Sequence, residues 1–208
     1  LLDATPIAIG GVGAQHTHVE ALGSRWLVVW ESVTTDPWST TTFVSSAHAF
    51  VAADGTTTGS LSSGLGPRPS VAVAGDRALL VAATEKVSSI TSDIEGRILM
   101  ADGSYLGPAF PISTAPGQQF RSGAVWTGTE FLAAWEDQRS AVSHFDWRTD
   151  IYGARITPTG TVLDPTGAPL ATTPKTELFP DFLTTGTDLF LSLSTLRSDT
   201  TLGSFRIE

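Results

Sequence analysis

Apolar runs of strand length, separated by polar turns that carry glycine, recur along the whole chain. The pattern is clearest between Arg121 and Ala171. Ala124-Val125-Trp126 leads to a turn at Thr127-Gly128-Thr129, and a second apolar run extends from Phe131 to Trp135. A polar loop with charged and aromatic residues separates these from Asp150–Ile156, a turn at Thr159-Gly160 and a last run from Val162 to Leu170. Four β-type runs with three connections predict one four-stranded antiparallel sheet. No stretch carries sustained helical periodicity, so helices are expected to be minor.

The same unit repeats. A turn glycine between two apolar runs stands at Gly23, Gly75, Gly128 and Gly186, at spacings of 52, 53 and 58 residues. Each marks a hairpin in which glycine supplies the positive φ of the turn. A second marker keeps the same register: Asp93-Ile-Glu-Gly96 and Asp150-Ile-Tyr-Gly153 are each followed by a later turn glycine, Gly103 and Gly160. Copy one has Asp54-Gly55 at that later turn but Ala47 in place of the marker glycine, and copy four stops at Glu208 before its last strand. The first nine residues, Leu-Leu-Asp-Ala-Thr-Pro-Ile-Ala-Ile, resemble the missing element (Val-Leu-Asp-Pro-Thr-Gly-Ala-Pro-Leu170 in copy three). The N-terminal strand is therefore expected to complete the last sheet, the closure used by ring-shaped propellers.

The whole chain thus resembles a four-bladed β-propeller of hemopexin-like architecture. Its Trp-Glu-Asp-Gln-Arg139 and Asp-Ile-Tyr-Gly-Ala-Arg155 phrases are similar to repeats of large secreted or surface bacterial proteins. The predicted fold is all-β, with four antiparallel strands per blade in a single domain over 1–208. The blades fall at about 13–66, 67–117 and 118–176, with 177–208 completed by 1–12. An open sandwich or stacked meander is the alternative arrangement.

Composition narrows the classes of partner. The chain has 208 residues, 41% hydrophobic and 9% aromatic, which suits a folded domain rather than a disordered one. Its net charge is −9, with 12 basic residues against 21 acids, so it lacks the basic surface that nucleic-acid binding needs. The apolar runs are too short to span a bilayer as helices. With no cysteine, disulfides and thiolate chemistry are excluded. A start at Leu1 without a basic and apolar leader fits a mature or excised piece of a larger polypeptide, secreted or at a bacterial cell surface.

In a propeller the first strand of each blade lines the central channel. Seven residues before each turn glycine stand His16, Arg68, Arg121 and Phe179; two residues further on stand His18, Ser70, Gly123 and Asp181. These are the candidate channel residues. The hemopexin-like resemblance implies an axial calcium or sodium ion held by backbone carbonyls, and the residues themselves point to no certain cofactor. His16 and His18 share a strand face, as two transition-metal ligands would, but a lone His-x-His without a third ligand more simply solvates a wet channel.

The second candidate site is on loops. Counted from the turn glycine to the next marker, the connections of blades one and three run to 24 and 25 residues, against 21 and 17 in the others. Both carry tryptophan beside acid: Asp36 and Trp38 in one, Asp146, Trp147 and Arg148 in the other. Exposed aromatics with nearby carboxylates suit a sugar face or a peptide side chain. Trp26, Trp30, Trp126 and Trp135 lie in strand runs and are expected in the core, and Lys86, Arg139 and Arg197 are expected to make structural ion pairs. No nucleophile elbow, P-loop, dinucleotide fingerprint, zincin motif or sialidase-type aspartate box is present. The expectation is therefore a non-catalytic module binding a glycan or protein at the channel mouth. A polysaccharide-acting hydrolase using the same mouth, and a purely structural assembly domain, are the alternatives.

Overall fold

The structure is a computed structural model that describes residues 8–11, 13–35, 42–84, 91–141, 147–185, 188–197 and 204–207. Among them every regular element is a strand, and they form four antiparallel sheets. The first contains β1 (Ala14–Leu22), β2 (Arg25–Thr35), β3 (Thr42–Val51) and β4 (Leu61–Ser62), paired in that order. The second contains β5 (Ser70–Ala74), β6 (Arg77–Ala83), β7 (Ile94–Met100) and β8 (Phe110–Ser113). The third contains β9 (Gln119–Trp126), β10 (Phe131–Asp137), β11 (Asp150–Ile156) and β12 (Ala168–Ala171). The fourth has three strands among the described residues, β13 (Thr176–Thr185), β14 (Asp188–Arg197) and β15 (Ser204–Ile207).

Consecutive sheets pack face to face. Leu27, Val29 and Phe50 of the first sheet meet Leu80 and Leu99 of the second, while Leu79, Val81 and Ile98 of the second meet Phe131, Ala133 and Trp135 of the third. The β6 strand thus feeds alternate side chains to two cores. This explains why it reads as an unbroken apolar run rather than an alternating one. The other face of the first sheet carries Val28, Trp30 and Ala49, against which Ile9 packs.

The first strands of consecutive sheets, β1, β5, β9 and β13, are neighbours in sequence order. Together they line one cleft at their N-terminal ends and a second hollow further along, where Glu20, Ala72, Ala124 and Leu183 stand. The four sheets are therefore arranged around a common axis, a β-propeller-like arrangement. Hairpin glycines Gly23, Gly75 and Gly128 have φ of 63°, 64° and 101°, as the turns require. Gly153 has a different role: a Cβ there would stand 2.8 Å from the Ala133 carbonyl oxygen and 2.6 Å from Leu170 Cδ1, so only glycine fits that crossing.

Several expectations need amendment. Of the segment 1–12 offered to close the last sheet, residues 1–7 lie outside the described residues, as do Gly186, Lys86 and the Arg197 side chain. Trp30 and Trp135 are buried and Trp126 packs on Phe131 at 5.0 Å between ring centroids, but Trp26 is 52% exposed. Trp26 pairs with Ala21 close to the hairpin turn at the end of the sheet. The Arg139–Asp137 pair is structural but not a surface pair, because the Asp137 side chain is fully buried.

Candidate active site

Among the described residues four that are not glycine have left-handed backbone angles: His16 (φ 51°), Arg68 (54°), Arg121 (46°) and Phe179 (56°). They are the four residues that stand seven before each turn glycine. A non-glycine residue in that region costs about 1–2 kcal/mol, and such strain concentrates where the surroundings over-determine a functional geometry. Register slips at Gln15/His18, opposite Arg121 at Trp135/Glu136, and at Leu178/Asp181 mark bulges on β1, β9 and β13. A bulge bends its strand and re-aims the side chains beside it. Here the re-aimed residues converge on the axis.

The cleft they form has a volume of about 240 Å³ and is lined by His16, His18, Arg68, Arg121, Phe179 and Asp181, with Pro69, Ser122 and Pro180 between them. Buried glutamates hold this rim. Glu136 on β10 accepts the Phe179 backbone N–H at 2.8 Å and two hydrogen bonds from Arg121 Nη1, at 2.9 and 3.3 Å. The Arg121 guanidinium also lies 4.7 Å from the Phe179 ring centroid, a cation–π contact. Glu31 on β2 does the same for the preceding pair of sheets. It accepts the Arg68 N–H at 2.9 Å and the Gln15 side-chain amide at 2.5 Å, with His16 Nδ1 at 3.5 Å. A carboxylate from one sheet thus fixes the left-handed residue of the next. The equivalent positions in the second and fourth sheets are Ala83 and Ser194.

Burial raises the Glu136 carboxyl above its ordinary value, and the Phe179 N–H and Arg121 pull it part of the way back. Burial lowers the His18 imidazole, with Asp181 opposing and His16 reinforcing the shift. The cleft therefore combines a neutral-leaning imidazole, two guanidinium groups and the Asp181 carboxylate around a half-exposed phenyl ring. That set can accept, donate and polarise hydrogen bonds to hydroxyl-rich ligands. Sequence reasoning missed Glu31 and Glu136 as rim supports. Their signal was a glutamate eight residues after Gly23 and Gly128.

The sequence-predicted residues divide. His16, His18, Arg68, Arg121 and Asp181 come together in the axial cleft. Ser70 is buried instead, its hydroxyl 3.2 Å from that of Ser122 between β5 and β9. Gly123 lets the inner strands approach, since a Cβ there would meet the Pro180 carbonyl oxygen at 2.7 Å. Trp147 is 75% exposed and walls a groove of about 460 Å³ beside the cleft, which also includes Glu31, Arg68 and Phe120. Arg148 lines a different hollow with Asp150, Tyr152 and Lys175, so the two adjacent loop residues do not share a site. Asp36, Trp38 and Asp146 lie outside the described residues. Among the described residues no group of three or more His, Cys, Asp or Glu side chains could hold a metal ion. Among them, too, no helix is long and apolar enough to cross a membrane.

No family model matches the chain, and no curated protein matches it in sequence. Solved structures do match it in fold. The chain is similar to an α-L-arabinofuranosidase from Lactobacillus brevis at 10% identity, covering 98% of this chain and 75% of that one with a TM-score of 0.58. It is similar to a thermostable family-43 glycoside hydrolase at 11% identity, over 92% of this chain and 70% of that one, with a TM-score of 0.59. A GH43 endo-arabinanase from Bacillus licheniformis matches at 12% identity, over 94% and 72%, with a TM-score of 0.52. These likenesses support a β-propeller-like all-β fold, and they are to five-bladed propellers rather than to hemopexin-like four-bladed ones. They also overturn the expectation of a non-catalytic module, because the proteins this chain is similar to are glycoside hydrolases. The lack of a local motif did not bear on this, because a glycosidase is defined by two acids that converge across a cleft rather than by a contiguous phrase.

Proposed function

We propose that the chain is a polysaccharide-acting hydrolase whose substrate enters the axial cleft. The observation that carries this reading is the position of the Asp181 carboxylate, in a polar cleft on the axis of a fold similar to that of glycoside hydrolases. Asp181 is the acid that faces the glycosidic bond. Glu31 is the second carboxyl, standing in the adjoining groove on the far side of Arg68. Arg68 and Arg121 orient sugar hydroxyls, and Phe179 offers an apolar face. Arabinan and related polysaccharides are the first substrates to try, since the similar structures include an endo-arabinanase and an arabinofuranosidase. We further read the four sheets as four blades, the last completed by the N-terminal residues.

Release of reducing ends from a polysaccharide panel tests the reading. Asp181→Asn should lower the rate by about 10²–10⁴-fold, the contribution of a positioned acid or base. Wild-type rates in that variant, or no release from any polysaccharide, would remove it.

A further inference from the structure

The axial cleft is small for a substrate, but it does not stand alone. At about 240 Å³ it falls below the range of about 300–1,000 Å³ typical of ligand sites, whereas the adjoining groove, at about 460 Å³, falls within it. Arg68 lines both, and the contact of His16 with Glu31 at 3.5 Å forms the wall between them. We propose that the groove between Trp147 and Phe120 is a second sugar subsite, so that the substrate is a glycan chain with neighbouring units in the groove and in the cleft. This rests on the hydrolase reading and deepens it.

The groove has the make-up that a sugar unit requires. Trp147 presents an aromatic face that is three-quarters exposed, and Phe120 adds a half-buried ring. Sugar C–H faces stack on such rings, which gain contact area without losing much side-chain freedom. The polar lining is fixed in place. The Ser92 hydroxyl donates to the Gln119 carbonyl at 2.6 Å, and the Thr84 hydroxyl accepts the Asp93 backbone N–H at 2.8 Å. Gln118 adds an amide with both a donor and an acceptor.

Binding of oligosaccharide ladders prepared from arabinan, xylan and galactan tests this, measured by calorimetry on the Asp181→Asn protein so that no turnover intervenes. Affinity should rise about five- to tenfold at the length that reaches the groove, the gain expected of one stacked ring. Trp147→Ala should abolish that step, and Trp147→Phe should keep most of it. A step of equal size in Trp147→Ala, or affinity independent of length in every ladder, overturns the subsite. Hydrolysis is scored separately on the protein without these substitutions. A Trp147-dependent step without hydrolysis sinks the hydrolase reading and leaves the groove standing; hydrolysis without the step does the reverse.

Discussion

Glu136 shows how much one side chain can organise. Its carboxylate is fully buried, yet it satisfies a backbone N–H and a guanidinium that belong to two different sheets. Replacing it with alanine leaves the Phe179 N–H without its acceptor and Arg121 without its partner, and should cost about 2–4 kcal/mol. Glutamine keeps an acceptor for the N–H and should cost less; denaturant melts of the three proteins check the order. The pH dependence has a defined sign. Because burial raises this carboxyl in the folded protein, its titration stabilises the fold below about 4.5 and that contribution is lost as pH rises through the raised value. Glu136→Gln should flatten this part of the stability profile. The left-handed residues were partly legible in the sequence: their equivalence could be counted back from the turn glycines, whereas the carboxylates that hold the Arg68 and Phe179 N–H groups arrive from the neighbouring sheet.

At the scale of the strand, the repeated phrases turn out to be structural devices. In Trp135-Glu-Asp-Gln-Arg139, alternate side chains point to opposite faces, so Glu136 reaches the axial rim while Asp137 ties off the strand end. Asp137 accepts from Trp135 Nε1 at 2.8 Å, from the Arg139 N–H at 2.8 Å and from Arg139 Nη2 at 2.6 Å. The same guanidinium lies 3.8 Å from the centroid of Tyr152, which the second phrase supplies. Asp137→Ala strands a buried indole N–H and most of an ion pair, and a loss of about 3–5 kcal/mol is expected in thermal or urea unfolding. Strand content and hairpin positions could be read from apolar runs and glycines, because those signals are local. Which way the axial residues of β1, β9 and β13 point depends on the bulges, and these leave no mark in composition.

Across the whole molecule, adjacent sheets are joined by polar clusters as well as by cores. His48 on β3 is buried beside Tyr105 of the second sheet, with Tyr105 Oη 3.4 Å from His48 Nδ1, and Arg97 lies 3.6 Å from the Tyr105 ring centroid. Burial, reinforced by Arg97, lowers His48 to about 4. The unfolded chain therefore binds its proton first. Stability from this group is complete above about 6.5 and falls as pH drops toward 4, so His48→Gln should be less acid-sensitive than the native chain in melts across that window. What stayed hidden from the sequence at this scale was the reach of Glu31 and Glu136 into the next sheet, because partners so far apart along the chain share no local pattern.

The glutamate latches also bear on how such a succession of sheets is made. Glu31 reaches Arg68, 37 residues on, and Glu136 reaches Phe179, 43 residues on. Each bond needs only the sheet just finished and the first strand of the next. A ribosome delivering this chain supplies the partners in the order in which they are used, so the early sheets can lock while later ones are still being translated. The meeting of His18 with Asp181 joins the first sheet to the last, so it must wait until nearly the whole chain is present.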